Sequence, residues 1–409
     1  MNNDELKNET KGDEGLSPDT KRGIVIGIML TIIAILAVHS AILAYNIWIK
    51  KEYDFESKAK SIYNLMEKEY VGELDNEKIF DGIYTGMLAF STDKYSRYIS
   101  KEDFESYKIS TSGNYAGMGA KTSIDPDDYT ILIFAVYENS PAAKAGIKSG
   151  DKILKVDGMT VSYDNYNEAI DKIRGEKGTS MVLTIKRENE IFDTTVVRDE
   201  VDVPTVGGTV LNNNIGYIKI EGFEAVTYDQ YKSVYDNLRS QNIKGLIIDL
   251  RDNPGGLLDT VSKIADDIIP EGIITYTEDK NGKREYIKST EGEIDIPVAV
   301  LVNENSASAS ELLTAAIKDT GKGTIIGKNT YGKGVVQTTF PFNDGSAVKL
   351  TTSKYYTPNG ICIDGVGVSP DIDVDNSDNY EAKTLSSDKA ECDLINDLQL
   401  KKAIEVLSK

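Results

Sequence analysis

Three serines alternate with alanines in NENSASASELL, at Ser306, Ser308 and Ser310, and Lys333 follows Ser308 by twenty-five residues in YGKGVVQ. The chemistry open to such groups depends on the supply of imidazole. The chain holds one histidine, His39, inside its most apolar stretch. A Ser-His-Asp triad, a Cys-His pair or a His-ligated metal is therefore excluded for the rest of the protein. An enzyme of this composition must take its base from Lys, Asp, Glu or Tyr. Read alone, however, Ser308 with Glu311 is an S-x-x-E capping box at the start of a helix, and a lone lysine is most often a solvated surface charge.

Lys333 also invites two other readings. Gly327, Gly332 and Lys333 match G-x-x-x-x-G-K, but Gly334 stands where a P-loop needs Ser or Thr and no helix pattern follows, so nucleotide binding is rejected. As a strand, the segment turns Lys333, Val335 and Gln337 to one face by its two-residue period. The glycines on either side let the lysine approach another backbone closely, and a neighbour at i+4 can hold its amine. Asp371, Asp373 and Asp375 imitate the opening of a calcium loop, yet Asn376 replaces the required Gly and Ala382 the closing Glu, which leaves a solvated acidic turn. Cys362 and Cys392 form no CxxC pattern and read as two ordinary thiols. No metal or cofactor is expected.

The elements that must position these groups are two strand-loop-helix units. IKGLIIDL, RDNPGG and LLDTVSKIADDII form the first; IPVAVLV, NENSA and ASELLTAAIKD form the second. Continuous apolar strands of this kind are buried on both faces of a parallel sheet, and α/β sheets place their sites in loops at the carboxyl ends of such strands. Upstream, from Tyr53 to about Tyr107, Ile62, Leu65, Met66, Tyr70, Ile79, Ile83, Met87 and Phe90 recur at helical spacing, predicting two or three short amphipathic helices. From Gly113 to about Arg198 the texture turns to strands and glycines. From Ile215 to about Val374 short β-branched runs alternate with helices, a mixed α+β and α/β multidomain pattern. Lys401 to Ser408 predicts a small closing helix.

With 409 residues, two to four domains are expected at roughly 100–200 residues each, and a 40% hydrophobic share supplies a packed core. The net charge of −20, from 66 acidic and 46 basic residues, repels phosphate backbones and argues against nucleic acid as a partner. Gly23 to Ile49 carries no formal charge, and about twenty such residues span a bilayer. Tyr45 and Trp48 suit an interfacial belt. A cleaved signal peptide is the weaker reading, because Ser40, Ala41 and Ala44 match A-x-A poorly. Lys50-Lys51 nearly balance Lys21-Arg22. The orientation taken is a cytoplasmic tail, one pass through the cell membrane and an extracytoplasmic remainder.

NENSASASELLTAAIKD followed by IIGKNTYGKGVVQ resembles the active-site region of the carboxy-terminal processing, or tail-specific, serine proteases, which carry a Ser-Lys dyad and an embedded PDZ domain. DGIYTGMLAFSTDKYSRYISKEDF is similar to that family's N-terminal helical segment, SPAAKAGIKSGDKILKVDG to its PDZ domain, and IIDLRDNPGGLL, KYYTPNG and GVGVSPDI to its core. The hydropathy and charge pattern gives a cytoplasmic tail at 1–22, a transmembrane helix at 23–49 and, at the far end, a C-terminal tail and helix at 381–409. Between them the resemblance implies an N-terminal helical dimerisation segment at 52–112, a PDZ β-sandwich at 113–198 and an α/β protease core of the ClpP/crotonase-like type at 199–380.

Carried over residue by residue, the nucleophile falls on Ser308, with Ser306 and Ser310 as decoys, the general base on Lys333, and the glutamine that orients it on Gln337. The oxyanion amides fall on Ala309 and on Gly255 or Gly256. Ala116, Gly117, Met118 and Gly119 resemble the loop with which PDZ domains take a terminal carboxylate, and Arg174 resembles a regulatory contact between PDZ domain and core. The chemistry fits the missing histidine, since a lysine serves as base only when neutral, which requires burial to lower its pKa by roughly 3 units. The resemblance thus implies a membrane-anchored serine endopeptidase acting on protein or peptide C-termini, a homodimer, with a regulatory protein as a further partner. The alternatives are a non-catalytic PDZ scaffold, against which the intact Ser308, Lys333 and Gln337 count, and a small-molecule amidase, against which the PDZ domain counts.

Overall fold

Met1–Phe80 and Asp81–Lys409 form two compact units. The computed structural model describes residues 17–52, 54–292, 294–377 and 380–409. Most of the expected cytoplasmic tail, residues 1–16, lies outside the described residues, as do the side chains of Trp48, Lys50 and Lys51.

In the first unit the uncharged stretch is part of one 35-residue helix, Pro18–Glu52. An 18-residue window within its segment Pro18–Ile47 has a mean hydropathy of 2.5 and no buried residue, so the helix is long and apolar enough to cross a membrane or to act as a signal sequence. The Thr31 hydroxyl donates to the Gly27 carbonyl at 2.8 Å, which satisfies a polar group without water. The Phe55–Glu69 helix follows and likewise buries no residue.

In the second unit the expected helical stretch is interrupted by a strand, Arg97–Ile99, before the Lys101–Ser112 helix. Ser100 caps that helix by accepting from the Asp103 amide, and Gly113 ends it in the left-handed conformation. Strands Ala120–Ile124, Ile131–Val136, Lys152–Val156, Ser180–Arg187 and Glu190–Val197 then form an antiparallel sheet in that order, with Met159–Thr160 added beside Lys152–Val156. Their inward residues, among them Ile131, Ile133, Ile153, Leu183 and Ile185, close one core with Ala169 and Ile173 of the Tyr166–Ile173 helix. Asn114–Gly117 pairs instead with Asp199–Asp202, so a two-stranded ribbon straddles residue 198.

A second six-stranded sheet runs in the order Val206–Leu211, Ile215–Ile220, Gly245–Asp249, Val298–Val302, Gly323–Gly327 and Ile372–Asp373. It is parallel from its second strand onward. Every residue of Gly245–Asp249 and of Val298–Val302 is buried, as the apolar runs Leu246–Ile248 and Val298–Val302 require. One face is covered by helices Thr227–Ser240, Leu258–Ile268 and Ala309–Asp319, and the other by the Leu398–Leu407 helix. Leu400 and Ala403 of that last helix are buried against Tyr217, Ile247, Ala299 and Leu301. Its apolar face is thus spent within this chain. A third, antiparallel sheet includes Ala347–Tyr356, flanked by Val335–Pro341, Arg97–Ile99 and Gly272–Asp279.

The acidic turn is not merely solvated, because Asp371 pairs with Lys318, and Asp373 and Asp375 with Lys328. The carboxy-terminal segment supplies half of a buried ionic tie. Arg251 donates Nε to Asp249 Oδ1 at 2.9 Å, and its two terminal nitrogens reach Asp397 Oδ1 and Oδ2 at 2.9 and 2.8 Å. Asp397 also caps its helix by accepting from the Leu400 amide at 2.8 Å. Burial alone would raise the Asp249 carboxyl, but the Arg251 charge and hydrogen bonds outweigh it and pull it down to about 2.

Arg251 and Asp397 are nearly inaccessible, so Asp397→Ala leaves a buried guanidinium short of one anion and is expected to cost about 3 kcal/mol in urea denaturation; a loss below about 1 kcal/mol would show that the tie is not structural. With the Asp249 carboxyl depressed, its contribution is present above the ordinary carboxylate pKa of about 3.9 and is lost as pH falls toward 2.

Candidate active site

The two loops at the carboxyl ends of Gly245–Asp249 and Val298–Val302 meet over a cavity of about 330 Å³. Ser308, Ala309, Gly255, Gly256, Lys333 and Gln337 all line it. The three serines separate by environment. Ser306 and Ser310 are fully buried, the first donating to the Leu250 carbonyl at 2.8 Å and the second to the Asn253 carbonyl at 2.9 Å. Ser308 alone of the three lines the cavity. It stands at the N-cap of the Ala309–Asp319 helix with φ 57° and ψ −112°, a backbone conformation that costs a non-glycine residue about 1–3 kcal/mol and persists only where the surroundings impose it.

The surroundings do so through Glu311. Its carboxylate is fully buried and accepts from four donors: the amides of Ser308 (2.8 Å), Gly332 (2.7 Å) and Lys333 (2.8 Å), and the Thr330 hydroxyl (2.6 Å). The S-x-x-E pattern thus does more than start a helix. Tyr355 repeats the link from the third sheet, its hydroxyl lying against the carbonyls of Ser308 at 2.8 Å and Lys333 at 2.5 Å. Burial holds this phenol well above its ordinary pKa, which keeps it a donor.

Lys333 is half-buried, with Nζ 4.8 Å from the centroid of the Tyr95 ring. Burial is the largest influence lowering its pKa below the ordinary lysine value, and the Lys349 charge lowers it further, against the opposing pull of Tyr331, Glu311 and Asp93. Among the described residues no hydrogen bond joins Lys333 Nζ to Ser308 Oγ; catalytic contacts of this kind often tighten only when substrate is bound. The expected alternation fails here. Lys333 precedes the strand, which begins at Val335, and the register shifts between Val336 and Gln337. The Gln337 amide consequently points to the Val335 carbonyl at 3.3 Å and Thr351 at 3.5 Å rather than to Lys333.

The glycine loop is fixed by Asn253, whose Oδ1 accepts from the Gly255 amide at 2.8 Å while its Nδ2 donates to the Ile220 carbonyl at 2.9 Å. The Gly255 N–H is therefore occupied. Gly256 bridges Phe223 in parallel, with the bonds made by Phe223 to Gly255 and by Leu257 to Phe223, which leaves the Gly256 N–H outside the bridge. The Ala309 N–H, at the first position of its helix, has no partner within the helix.

A second cavity, of about 300 Å³, lies between the Ala120–Ile124 strand and the Tyr166–Ile173 helix, with Tyr115, Met118 and Arg174 in its wall. Ala116 and Gly117 do not offer a free loop, since they pair with Glu200 and Asp199 in the ribbon. Burial raises the Tyr115 hydroxyl, opposed by the Ala120 and Gly119 amides and the Arg174 charge. Gly119 has φ +77°, and a Cβ there would come within 2.4 Å of Ser140. Ser110 of the Lys101–Ser112 helix and Glu224 line both cavities.

The chain is 37% identical over 335 residues to the carboxy-terminal processing protease CtpA of Bacillus subtilis (strain 168), covering 81% of this chain and 72% of that protein. The chain belongs to peptidase family S41. The family's model matches residues 214–374, a PDZ domain model residues 133–187, and a model of the N-terminal domain of the activating protease CtpB residues 44–103. This S41 chain is also 33% identical over 356 residues to a probable CtpA-like serine protease of Staphylococcus aureus (strain COL), covering 86% and 71% of the two. A crystal structure of a putative S41 protease from Bacteroides fragilis shares the fold at a TM-score of 0.50 and 17% identity, over 75% of this chain and 85% of that one. The protein is a serine-type peptidase with a PDZ domain.

Sequence reading missed the reach of Glu311 and the parts of Tyr355, Tyr95, Asn253 and Lys349. Only Glu311 left a signal, as the last residue of S-x-x-E; the others approach from distant strands and turns. A methyl at Gly255, where φ is +104°, would lie 2.8 Å from Ser308 Cβ and 2.9 Å from the Ala309 amide. Gly255→Ala is expected to lower peptidase activity on the order of a hundredfold in a protein that stays folded by circular dichroism; undiminished activity would place the reacting carbonyl elsewhere.

Proposed function

We propose that the S41 peptidase cuts protein chains near their C-termini by a Ser-Lys dyad, with Ser308 as nucleophile and Lys333 as general base. The observation that carries this reading is the single buried carboxylate of Glu311, which grips the backbones of both residues at the rim of one cavity. In this scheme neutral Lys333 Nζ takes the Ser308 hydroxyl proton as Oγ attacks the scissile carbonyl, and then returns it to the leaving amine. The oxyanion is met by the Ala309 amide at the positive end of its helix and by the Gly256 amide, the Gly255 amide being committed to Asn253. Gln337 acts by shaping the cavity wall. A parallel sheet with its site in loops at the carboxyl ends of two strands is in keeping with a ClpP/crotonase-like core, and the domain limits given above are proposed with it.

The PDZ domain takes the C-terminus of the substrate in the cavity beside Tyr115, Met118 and Arg174. Its terminal carboxylate is proposed to reach the Gly119 and Ala120 amides in this cavity, next to the Tyr115 ring. Arg174, which donates to Ser106 of the Lys101–Ser112 helix at 3.4 Å, is proposed to report that event to the catalytic cavity along the same helix. The proposal includes anchoring in the cell membrane by the Pro18–Glu52 helix with the catalytic part outside the cytoplasm, assembly as a homodimer, and control by a regulatory protein.

Ser308→Ala is expected to abolish cleavage of an unstructured protein, read as fragments by mass spectrometry, while Ser306→Ala and Ser310→Ala lower stability before they touch the chemistry. Lys333→Arg should be as inactive as Lys333→Ala, because guanidinium does not deprotonate. A lysine that must lose its proton makes the wild-type rate rise from acid toward alkaline pH, with the lowered amine moving that rise toward neutrality. An active Arg variant would remove Lys333 from the reaction.

A further inference from the structure

Lys349 lies in the Ala347–Tyr356 strand and lines the catalytic cavity together with Lys333. Both side chains are half-buried. Each ammonium rests against an aromatic face, Lys333 Nζ 4.8 Å from the centroid of Tyr95 and Lys349 Nζ 5.2 Å from that of Tyr107. Among the described residues no carboxylate forms an ion pair with either. That is a costly arrangement in a chain with 66 acidic residues and a net charge of −20, since two like charges sharing a partly dry cavity repel.

Nothing in the fold forces it. On one side Lys349 pairs in register with Thr339, whose hydroxyl is 3.2 Å from that of Tyr107, and on the other with the exposed Arg97. A neutral residue at 349 would satisfy the same ladder. We propose that Lys349 is a positioning residue of the hydrolytic centre, its fixed positive charge keeping the Lys333 amine in the neutral form that accepts a proton from Ser308. The inference rests on the Ser-Lys reading above.

The other charged and titratable groups facing Lys333 come from several elements. Glu311 approaches from the Ala309–Asp319 helix, with its oxygens committed to four donors. Asp93, Lys94 and Tyr95 come from the turn before Arg97–Ile99, and Tyr331 from the loop that carries Lys333, its hydroxyl accepting from Lys94 Nζ at 3.0 Å. Tyr355 lies behind the backbone. Burial and Lys349 both favour the neutral amine, whereas Tyr331, Glu311 and Asp93 favour the charged one. Lys349 is therefore the charged neighbour whose removal moves Lys333 away from its working form.

The test is the pH dependence of kcat/KM on a short fluorogenic peptide, for the full chain in detergent and for its Lys349→Met, Lys349→Gln and Lys349→Arg variants. Loss of the charge in the Met and Gln variants should move the acid limb up by about one pH unit. Activity should fall about tenfold at neutral pH, recover in alkali and leave KM within twofold. Lys349→Arg should keep the wild-type limb. An unmoved limb in both neutral variants, an equal loss at every pH, or a rise confined to KM would overturn the proposal. Lys333→Ala serves as the control for the underlying reading. If it stays active the dyad itself is wrong, and if it is dead while the Lys349 variants keep the wild-type limb, only the role of Lys349 is wrong.

Discussion

A carboxylate cannot be buried without donors, and the site is organised by how this protein supplies them to Glu311. Four hydrogen bonds converge on one inaccessible ion, each charge-assisted and so stronger than an ordinary amide pair. Those donors belong to two segments that are distant in sequence, the cap of the Ala309–Asp319 helix and the turn from Thr330 to Lys333. Satisfying the ion therefore brings Ser308 and Lys333 to the same place. The unfavourable φ of Ser308 becomes tolerable because its amide is held by that carboxylate and its carbonyl by Tyr355.

A second set of polar ties holds the facing loop in register with the first. Asn253 accepts from Gly255 with its side chain, and its carbonyl accepts from Ala307 and Ser310. The glycine loop and the serine loop thus share a residue, and neither can shift without breaking the other's hydrogen bonds. Arg251, two residues earlier, fixes the loop to the sheet on one side and to the Leu398–Leu407 helix on the other. The apolar sheet supplies rigidity, but what it makes rigid is a polar lattice with few free groups, among them the Ala309 and Gly256 amides.

The elements were legible in the sequence where a single segment carries its own signal. ASELLTAAIKD is a helix because its apolar side chains recur at the right spacing after a capping pattern, and GLII and VAVLV are buried strand runs because nothing polar interrupts them. Ser308 and Lys333 could be picked out from long motifs. What could not be read was anything decided by a bulge or by a partner from another sheet. The shift between Val336 and Gln337 reverses the alternation that seemed to aim Gln337 at Lys333. The ribbon pairing of Ala116 and Gly117 draws both residues out of the loop expected to take a terminal carboxylate. The final helix, amphipathic in sequence, gave no hint of whether its apolar side would meet this chain or another. Asp397, one more acidic residue in an acidic protein, gave no hint of its arginine.

The distance along the chain between Arg251 and Asp397, 146 positions, bears on how the protein is made. Polypeptides emerge N-terminus first. A nascent chain that has appeared as far as residue 380 already contains Ser308, Lys333 and both loops, yet its guanidinium at Arg251 has only one of its two anions, Asp249, and one face of its central sheet lacks its covering helix. The helix that covers that face and brings the second anion comes afterwards. Vectorial synthesis therefore separates the appearance of Ser308 and Lys333 from completion of the scaffold that aligns them, a built-in delay for an enzyme whose substrate is other polypeptide.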